Sequence, residues 1–289
     1  MVTLREAHCR LVPSRGLLDA ARAGRRAVAA LNFYNAETLL AHVRASNDRR
    51  APVILQTTES TIRYLGIRLI VAMARAAAEE IEQPVALHLD HGGSYELAAR
   101  SVEAGYTSVM IDGSKLSFEE NIALTRRVVG MAHAAGVSVE GELGHVAHND
   151  DRAGDLARFF TRPEDAARFV AETGVDALAV AVGTAHGFYK GEVRLDFERL
   201  GRIREAVGNG TALVLHGGSG VPDDLLRRAV AAGITKINFG TELKDAFTAA
   251  VKKSLSASDE IDLRKTFAPA IEAVREISSA KIRVCGWGE

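Results

Sequence analysis

"PVALHLDHGG", residues 84–93, begins as an apolar run and ends on His88, Asp90 and His91 before two glycines break it. The Val-Ala-Leu portion suits a strand covered on both faces. Strand stability gives no reason for an acid and two imidazoles at its end. The same arrangement of apolar run, polar break and helical pattern recurs along the chain. The other strand-like runs are "AVAALNF" (27–33), "PVILQT" (52–57), "TSVMID" (107–112), "VSVEGEL" (137–143), "VDALAVAVG" (175–183), "TALVLHG" (211–217) and "ITKINFG" (234–240).

Amphipathic stretches lie between these runs, among them "YELAARSVEAG" (95–105), "FEENIALTRRVVGMAHAAG" (118–136), "PEDAARFVAETG" (163–174) and "PDDLLRRAVAAG" (222–233). Each has apolar residues at helical spacing and ends on glycine, as helix C-termini prefer. Eight such strands alternating with helices in 289 residues predict an α/β fold, a (β/α)8 TIM barrel forming a single domain over 1–289. A helix-rich tail over roughly 241–280 supplies extra C-terminal helices. No G-x-G-x-x-G follows the first run, which disfavours an open doubly wound sheet.

Composition excludes several classes. There are 36 basic and 37 acidic residues, a net charge of -1, so no global field draws in nucleic acid or an anionic membrane. Cys9 and Cys285 match no metal or redox spacing, and the N-terminus lacks a signal-like apolar stretch. No uncharged apolar run reaches the ~18 residues of a membrane span. The expectation is a cytoplasmic enzyme whose partner is a small molecule.

In a β/α barrel every strand's C-terminal end opens on the face that carries the active site. Those ends hold Asn32 and Asn35, Gln56, Asp90 and His91, Asp112, Glu140 and Glu142, His186, His216, and Asn238. Three histidines at the exits of three strands suit a divalent ion, with one position open for substrate. His88 shares an inward face with Asp90 and reads as barrel filling, while His8, His42 and His133 read as structural. "HGGSG" (216–220) and "NFGTEL" (238–243) follow the last two strands, where backbone N–H groups and a helix N-terminus can receive a phosphate. Lys190 in "GFYKGE" could add positive charge there. Metal, phosphate site and an unpaired aspartate together suggest carbonyl chemistry on a sugar phosphate, with Asp90 as general base.

At this point the chain resembles a known family, the class II zinc-dependent ketose-bisphosphate aldolases, which act on fructose or tagatose 1,6-bisphosphate. The resemblance rests on "ALHLDHG", "SVMIDGS", "VEGELG", "LAVAVGTAHGFYKG", "LDFERL", "LVLHGGSGVP" and "TKINFGTEL" in that order. It implies Asp90 as general acid/base, His91, His186 and His216 as zinc ligands, and Asp112 and Glu142 as acidic groups around one catalytic ion or a second divalent site. It further implies Gly187, Gly217, Gly218, Ser219 and Thr241 around the phosphate of the ketose, Asn238 on the substrate, and a monovalent cation near that cradle; Gly240, at the start of the last helix pattern, joins the expected substrate- and phosphate-binding residues by position. Dihydroxyacetone phosphate and an aldehyde would be the products, and a homodimer or homotetramer the assembly.

The chain departs from the family pattern in four places. Gly92 stands where members often have a second histidine. The loop "GHVAHNDDRAG" lacks the usual glycines, and Asp150 lies nearest the position of the family's proton-exchanging glutamate. The turn after strand two reads "QTTESTIRY", and Gly240 follows Phe239 where fructose-specific members often have Asp or Asn. A different ketose phosphate is therefore an open alternative. So are an aldolase-like phosphosugar-binding barrel without catalysis and a metal-dependent hydrolase. A Schiff-base aldolase would need a lysine at the barrel mouth, and "ALAVAVGTAH" offers none.

Overall fold

The computed structural model describes residues 11–144, 147–148, 159–189 and 191–288. Among these, the barrel strands are β1 (Val28–Asn32), β2 (Val53–Thr58), β3 (Val85–Gly92), β4 (Ser108–Ile111), β5 (Ser138–Leu143), β7 (Ala177–Val180), β9 (Ala212–Leu215) and β10 (Ile234–Phe239). They close in sequence order, β10 pairing back to β1 with Ala30 opposite Asn238. Every pairing is parallel, so each crossover carries a helix to the outside. All eight expected strands are present within a few residues of their predicted limits. A short pair, β6 (Ala147–His148) and β8 (Ala185–His186), lies apart from the ring. No helix among the described residues is long and apolar enough to cross a membrane.

Period two divides each strand between two environments. Outward positions such as Leu31, Leu55, Leu87, Val109, Leu178, Leu213 and Ile237 join the cluster beneath the helices. Inward positions are smaller: Val28, Ala30, Ile54, Ala86, Ala177, Ala179, Ala212 and Val214 form a separate cluster. Leu17, Leu18 and Ala21 of α1 (Ser14–Ala23) belong to that inner cluster. This helix therefore plugs the N-terminal end of the barrel, and small alanines on the strands leave it room. Ser14 Oγ and Ser108 Oγ lie 2.8 Å apart, and the Arg15 N–H donates to Ser138 Oγ at 3.0 Å, which fixes the plug's rotation. No repeat pattern announces this helix in the sequence, because α1 precedes the first β/α repeat.

The expected tail consists of α10 (Thr241–Ala257) and α11 (Leu263–Val284). The latter packs on α2 (Ala36–Arg49), where buried His42 bridges Ser278 Oγ at 2.9 Å and the Asn32 carbonyl at 3.1 Å. Burial lowers the pKa of His42 to about 4, so it acts as a neutral brace. His133 likewise pairs with buried Asp176 at 2.9 Å, in keeping with a structural role. His8 lies outside the described residues.

The plug generates a stability prediction. Leu18 is 1% exposed, and Leu18→Ala should cost about 2–5 kcal/mol in urea denaturation. A loss below about 1 kcal/mol would mean that α1 does not fill the barrel.

Candidate active site

β3 does not run straight into the mouth. Its register against β4 shifts between Leu89 and Gly92, and His91 takes a left-handed conformation with φ 51°. Gly92 is required by this bulge, since a Cβ there would overlap the Met110 carbonyl oxygen and lie 2.8 Å from Leu89 Cδ2. The absence of a second histidine at this position therefore has a steric cause.

Asp90 is 5% exposed, and an amide donor holds each of its carboxylate oxygens. Asn238 Nδ2 donates to Oδ1 and Asn32 Nδ2 to Oδ2, both at 3.0 Å, while Gln56 Nε2 donates to Asn32 Oδ1 at 2.8 Å. Burial disfavours the carboxylate, but His91, His216, Lys236 and the Asn32 amide outweigh it and lower the Asp90 pKa. Asp90 is thus ionised at neutral pH and fixed in orientation.

His91 and His216 meet beside it. The His91 Nδ1–H donates to Asp112 Oδ2 at 2.9 Å, and Asp112 Oδ1 accepts from Ser114 N–H and Oγ–H. The His216 Nε2–H donates to Glu140 Oε1 at 2.8 Å. Lys236 Nζ donates to the other oxygen of Glu140 at 2.7 Å and lies 3.3 Å from His88 Nε2. A lysine ammonium has no acceptor, so His88 Nε2 must accept, and its Nδ1–H donates to Ser108 Oγ at 2.7 Å. This chain of bonds runs through the barrel from the plug to the mouth. It leaves His91 Nε2 and His216 Nδ1 facing each other at 3.0 Å. Glu142, 2% exposed, places an oxygen 3.7 Å from His91 Nδ1 and 3.6 Å from His216 Nδ1.

The charges follow from this network. Burial opposes a proton on His91, but its bond to Asp112 and the fields of Asp90 and Glu142 prevail and raise its pKa to about 9. Burial lowers the His216 pKa despite Glu140. Burial and then Lys236 lower His88 to about 3, so His88 is neutral filling. Burial would raise the pKa of Glu140, but Lys236 and His216 hold it far below the usual carboxylate range. The facing imidazoles therefore share one proton where two nitrogen donors converge, each oriented through its other nitrogen by a carboxylate. This is the donor arrangement a divalent cation uses.

The mouth is a cavity of about 210 Å³. Of the residues expected around the substrate and its phosphate, Gly187, Gly217, Ser219, Asn238, Gly240 and Thr241 line it. Gly218 does not; its N–H donates to the Asn238 carbonyl at 3.0 Å, and Ile237 Cγ2 fills the space of a side chain. Ser219 Oγ accepts from Gly240 N–H at 3.1 Å and Glu242 N–H at 3.4 Å, so it caps α10 across the loops. A Cβ on Gly240 would lie 2.9 Å from Asn32 Oδ1 and 3.2 Å from the Tyr34 hydroxyl, so a larger residue there would displace these two side chains. The Tyr189 hydroxyl donates to the Gly217 carbonyl and accepts from Ala185 N–H, both at 2.9 Å, tying the loop of His186 to that of His216. The His186 side chain, Lys190 and Asp150 lie outside the described residues.

Tyr34, Thr58 and Lys244 also line the mouth, and the sequence reading did not single them out. Lys244 had a readable signal. It falls three residues after Thr241, on the same face of the first turn of α10, and its Nζ sits 5.5 Å above the Tyr34 ring. Glu140 and Lys236 were visible as polar residues on strands, but nothing in the sequence paired them.

The chain matches the model of the family described as fructose-bisphosphate aldolase class-II over residues 12–288, and it belongs to that family. It is therefore an enzyme of the lyase class. The YdjI aldolase of Escherichia coli K12 is 34% identical, with 96% of this chain and 98% of that one covered and a TM-score of 0.86. Fructose-bisphosphate aldolase of Campylobacter jejuni shares the fold at 24% identity, with 98% of each chain covered and a TM-score of 0.81.

A pH prediction follows from the shared proton. The His91 pKa rises from 6.5 to about 9 on folding. In chelator, its stabilising contribution is therefore full below pH 6.5 and lost as pH rises through about 9. Urea denaturation from pH 6 to 10 should show this decline, and His91→Ala should flatten it. Equal slopes for the two proteins would contradict the assignment.

Proposed function

We propose that the enzyme cleaves a ketose 1-phosphate or 1,6-bisphosphate between C3 and C4, releasing dihydroxyacetone phosphate and an aldehyde. The observation that carries this reading is Asp90: an ionised carboxylate, held by two amides, beside paired imidazoles and facing the cavity at the start of α10. A fixed base next to an electrophilic site is what retro-aldol cleavage needs.

His91 Nε2 and His216 Nδ1 fit a zinc ion, with His186 as the third ligand by family resemblance and Asp112 and Glu140 as the carboxylates that orient the first two. Zinc held there would supply positive charge to polarise the C2 ketone. Asp90 takes the proton of the C4 hydroxyl as the C3–C4 bond breaks. The C4 oxygen becomes the aldehyde carbonyl, and the bond pair moves through C3 toward the C2 oxygen. A proton delivered to C3 then completes dihydroxyacetone phosphate, and Asp150 is the candidate donor. Asn32 and Asn238 keep Asp90 aligned through the cycle, because each of its oxygens retains an amide partner.

The 1-phosphate is assigned to the mouth between Gly217 and Thr241. The N-terminus of α10 contributes partial positive charge there, and Lys244 contributes a full one. Gly187 (φ 93°) and Gly217 (φ 68°) line this mouth in left-handed conformations, and a Cβ on Gly217 would overlap the Ala185 carbonyl oxygen. The steric demands at Gly92 and Gly240 place this chain's individuality around Asp90 and Asn32, and they motivate testing substrates beyond fructose 1,6-bisphosphate.

A coupled assay for dihydroxyacetone phosphate across ketose 1-phosphates and 1,6-bisphosphates tests the reading. Cleavage should vanish with chelator and return with zinc. Asp90→Asn should reduce turnover by about 10²–10⁴-fold while retaining the metal. Turnover that resists chelator and is trapped by borohydride would overturn it in favour of a Schiff base.

A further inference from the structure

A second cavity opens at the opposite end of the barrel. Its volume is about 880 Å³, and it lies where α1, α9 (Asp223–Ala231), α11 and the start of β10 come together. Arg22, Arg25, Arg26, Arg227 and Arg283 line it, and no acidic residue does. The ordinary explanation is that arginines complement the negative ends of helix dipoles. It accounts for Arg22 and Arg283, which lie in the last turns of α1 and α11. It does not account for Arg25, which follows the end of α1 in a left-handed conformation with φ 53°. Arg26 is held with its guanidinium 4.7 Å above the Trp287 ring. Among the described residues, Arg25, Arg26, Arg227 and Arg283 form no ion pair.

The buried donors sharpen the point. Arg22 Nη2 is taken up by Asp19 at 2.6 Å, but Arg22 Nη1 is buried with no acceptor. Behind the cavity wall, Arg204 donates through Nη1 to the Thr211 carbonyl at 3.0 Å, while its Nε and Nη2 are buried with no acceptor. Its stem packs against Gly233, which lines the cavity. Burial, and then the nearby charge of Arg22, disfavour the charged form of Arg204. Buried guanidinium donors facing like charge without an acceptor are costly; an anion in the cavity would give Arg22 Nη1 an acceptor and offset the charge that Arg22 sets against Arg204. Guanidinium forks match phosphate oxygens in geometry. Five side chains spread around this volume exceed what one phosphate can engage.

We propose that this basal cavity is a binding site for an anion bearing two or more phosphate groups, separate from the catalytic mouth. The two sites lie at opposite ends of β10, which starts at Ile234 in the basal wall and ends beside Asn238 and Gly240 at the mouth.

Tripolyphosphate is the probe, because the catalytic mouth also attracts phosphate and must be told apart. Calorimetric titration should show binding by the wild type and by Lys244→Ala, and at least about tenfold weaker binding by Arg25→Glu/Arg227→Glu. Saturating ligand should raise the Tm of the first two proteins by about 3 °C or more. Unchanged affinity in the double variant, loss of binding in Lys244→Ala alone, or no binding by the wild type would overturn the proposal. A second measurement needs no variant. Tripolyphosphate should slow phenylglyoxal modification of Arg25, Arg227 and Arg283, all exposed around the cavity, relative to Arg63, which is exposed outside it, as read by mass spectrometry. Equal rates at all four would overturn it, even if the double variant did not fold.

Discussion

The Glu140 carboxylate is the group on which the rest of the site depends. It lies inside the barrel at 2% exposure and takes one hydrogen bond from Lys236 and one from His216. A lone buried carboxylate would protonate or draw in water; a matched cation keeps it charged. Its charge then fixes the His216 tautomer, Nε2–H inward and Nδ1 toward the mouth. Losing either partner would leave an uncompensated charge in the barrel, a fault worth about 3–5 kcal/mol, and would free the imidazole to rotate.

The barrel thus has two interiors stacked along its axis. The lower one is apolar and filled by α1 against small strand residues. The upper one is polar, with Gln56, Asn32, Asn238 and Asp90 on one side and His88, Lys236, Glu140 and His216 on the other. β10 joins them, since Lys236 serves the Glu140 pair and Asn238 serves Asp90 from the same face two residues on. Stability and chemistry share these residues, because the bonds that satisfy the polar interior also aim the groups at its mouth.

The architecture was legible because eight apolar runs have the period and length of buried strands and their polar ends recur at one position in each repeat. Asp90, His91, Asp112, Glu142 and His216 were legible for the same reason, since each ends a strand and all those ends share a face. The plug was not, because α1 precedes the repeat and has no strand before it. Lys236 lies early in β10, below the mouth, and nothing in the sequence pairs it; its role runs through Glu140, 96 residues away. Gly218 reads in sequence like its neighbour Gly217, yet backbone bonding turns it away from the mouth. Pattern identifies which residues reach a face, whereas pairing across the barrel decides what each one does there.

The central claim is that Glu140 and Asp112 orient two imidazoles so that His216 Nδ1 and His91 Nε2 form one cation site beside Asp90. Anomalous diffraction at the zinc edge, on crystals grown with zinc, tests it most directly. The account predicts a peak bound by those two nitrogens, with Glu140 still accepting from His216 Nε2. A zinc peak elsewhere, or one bound through His216 Nε2, would contradict it.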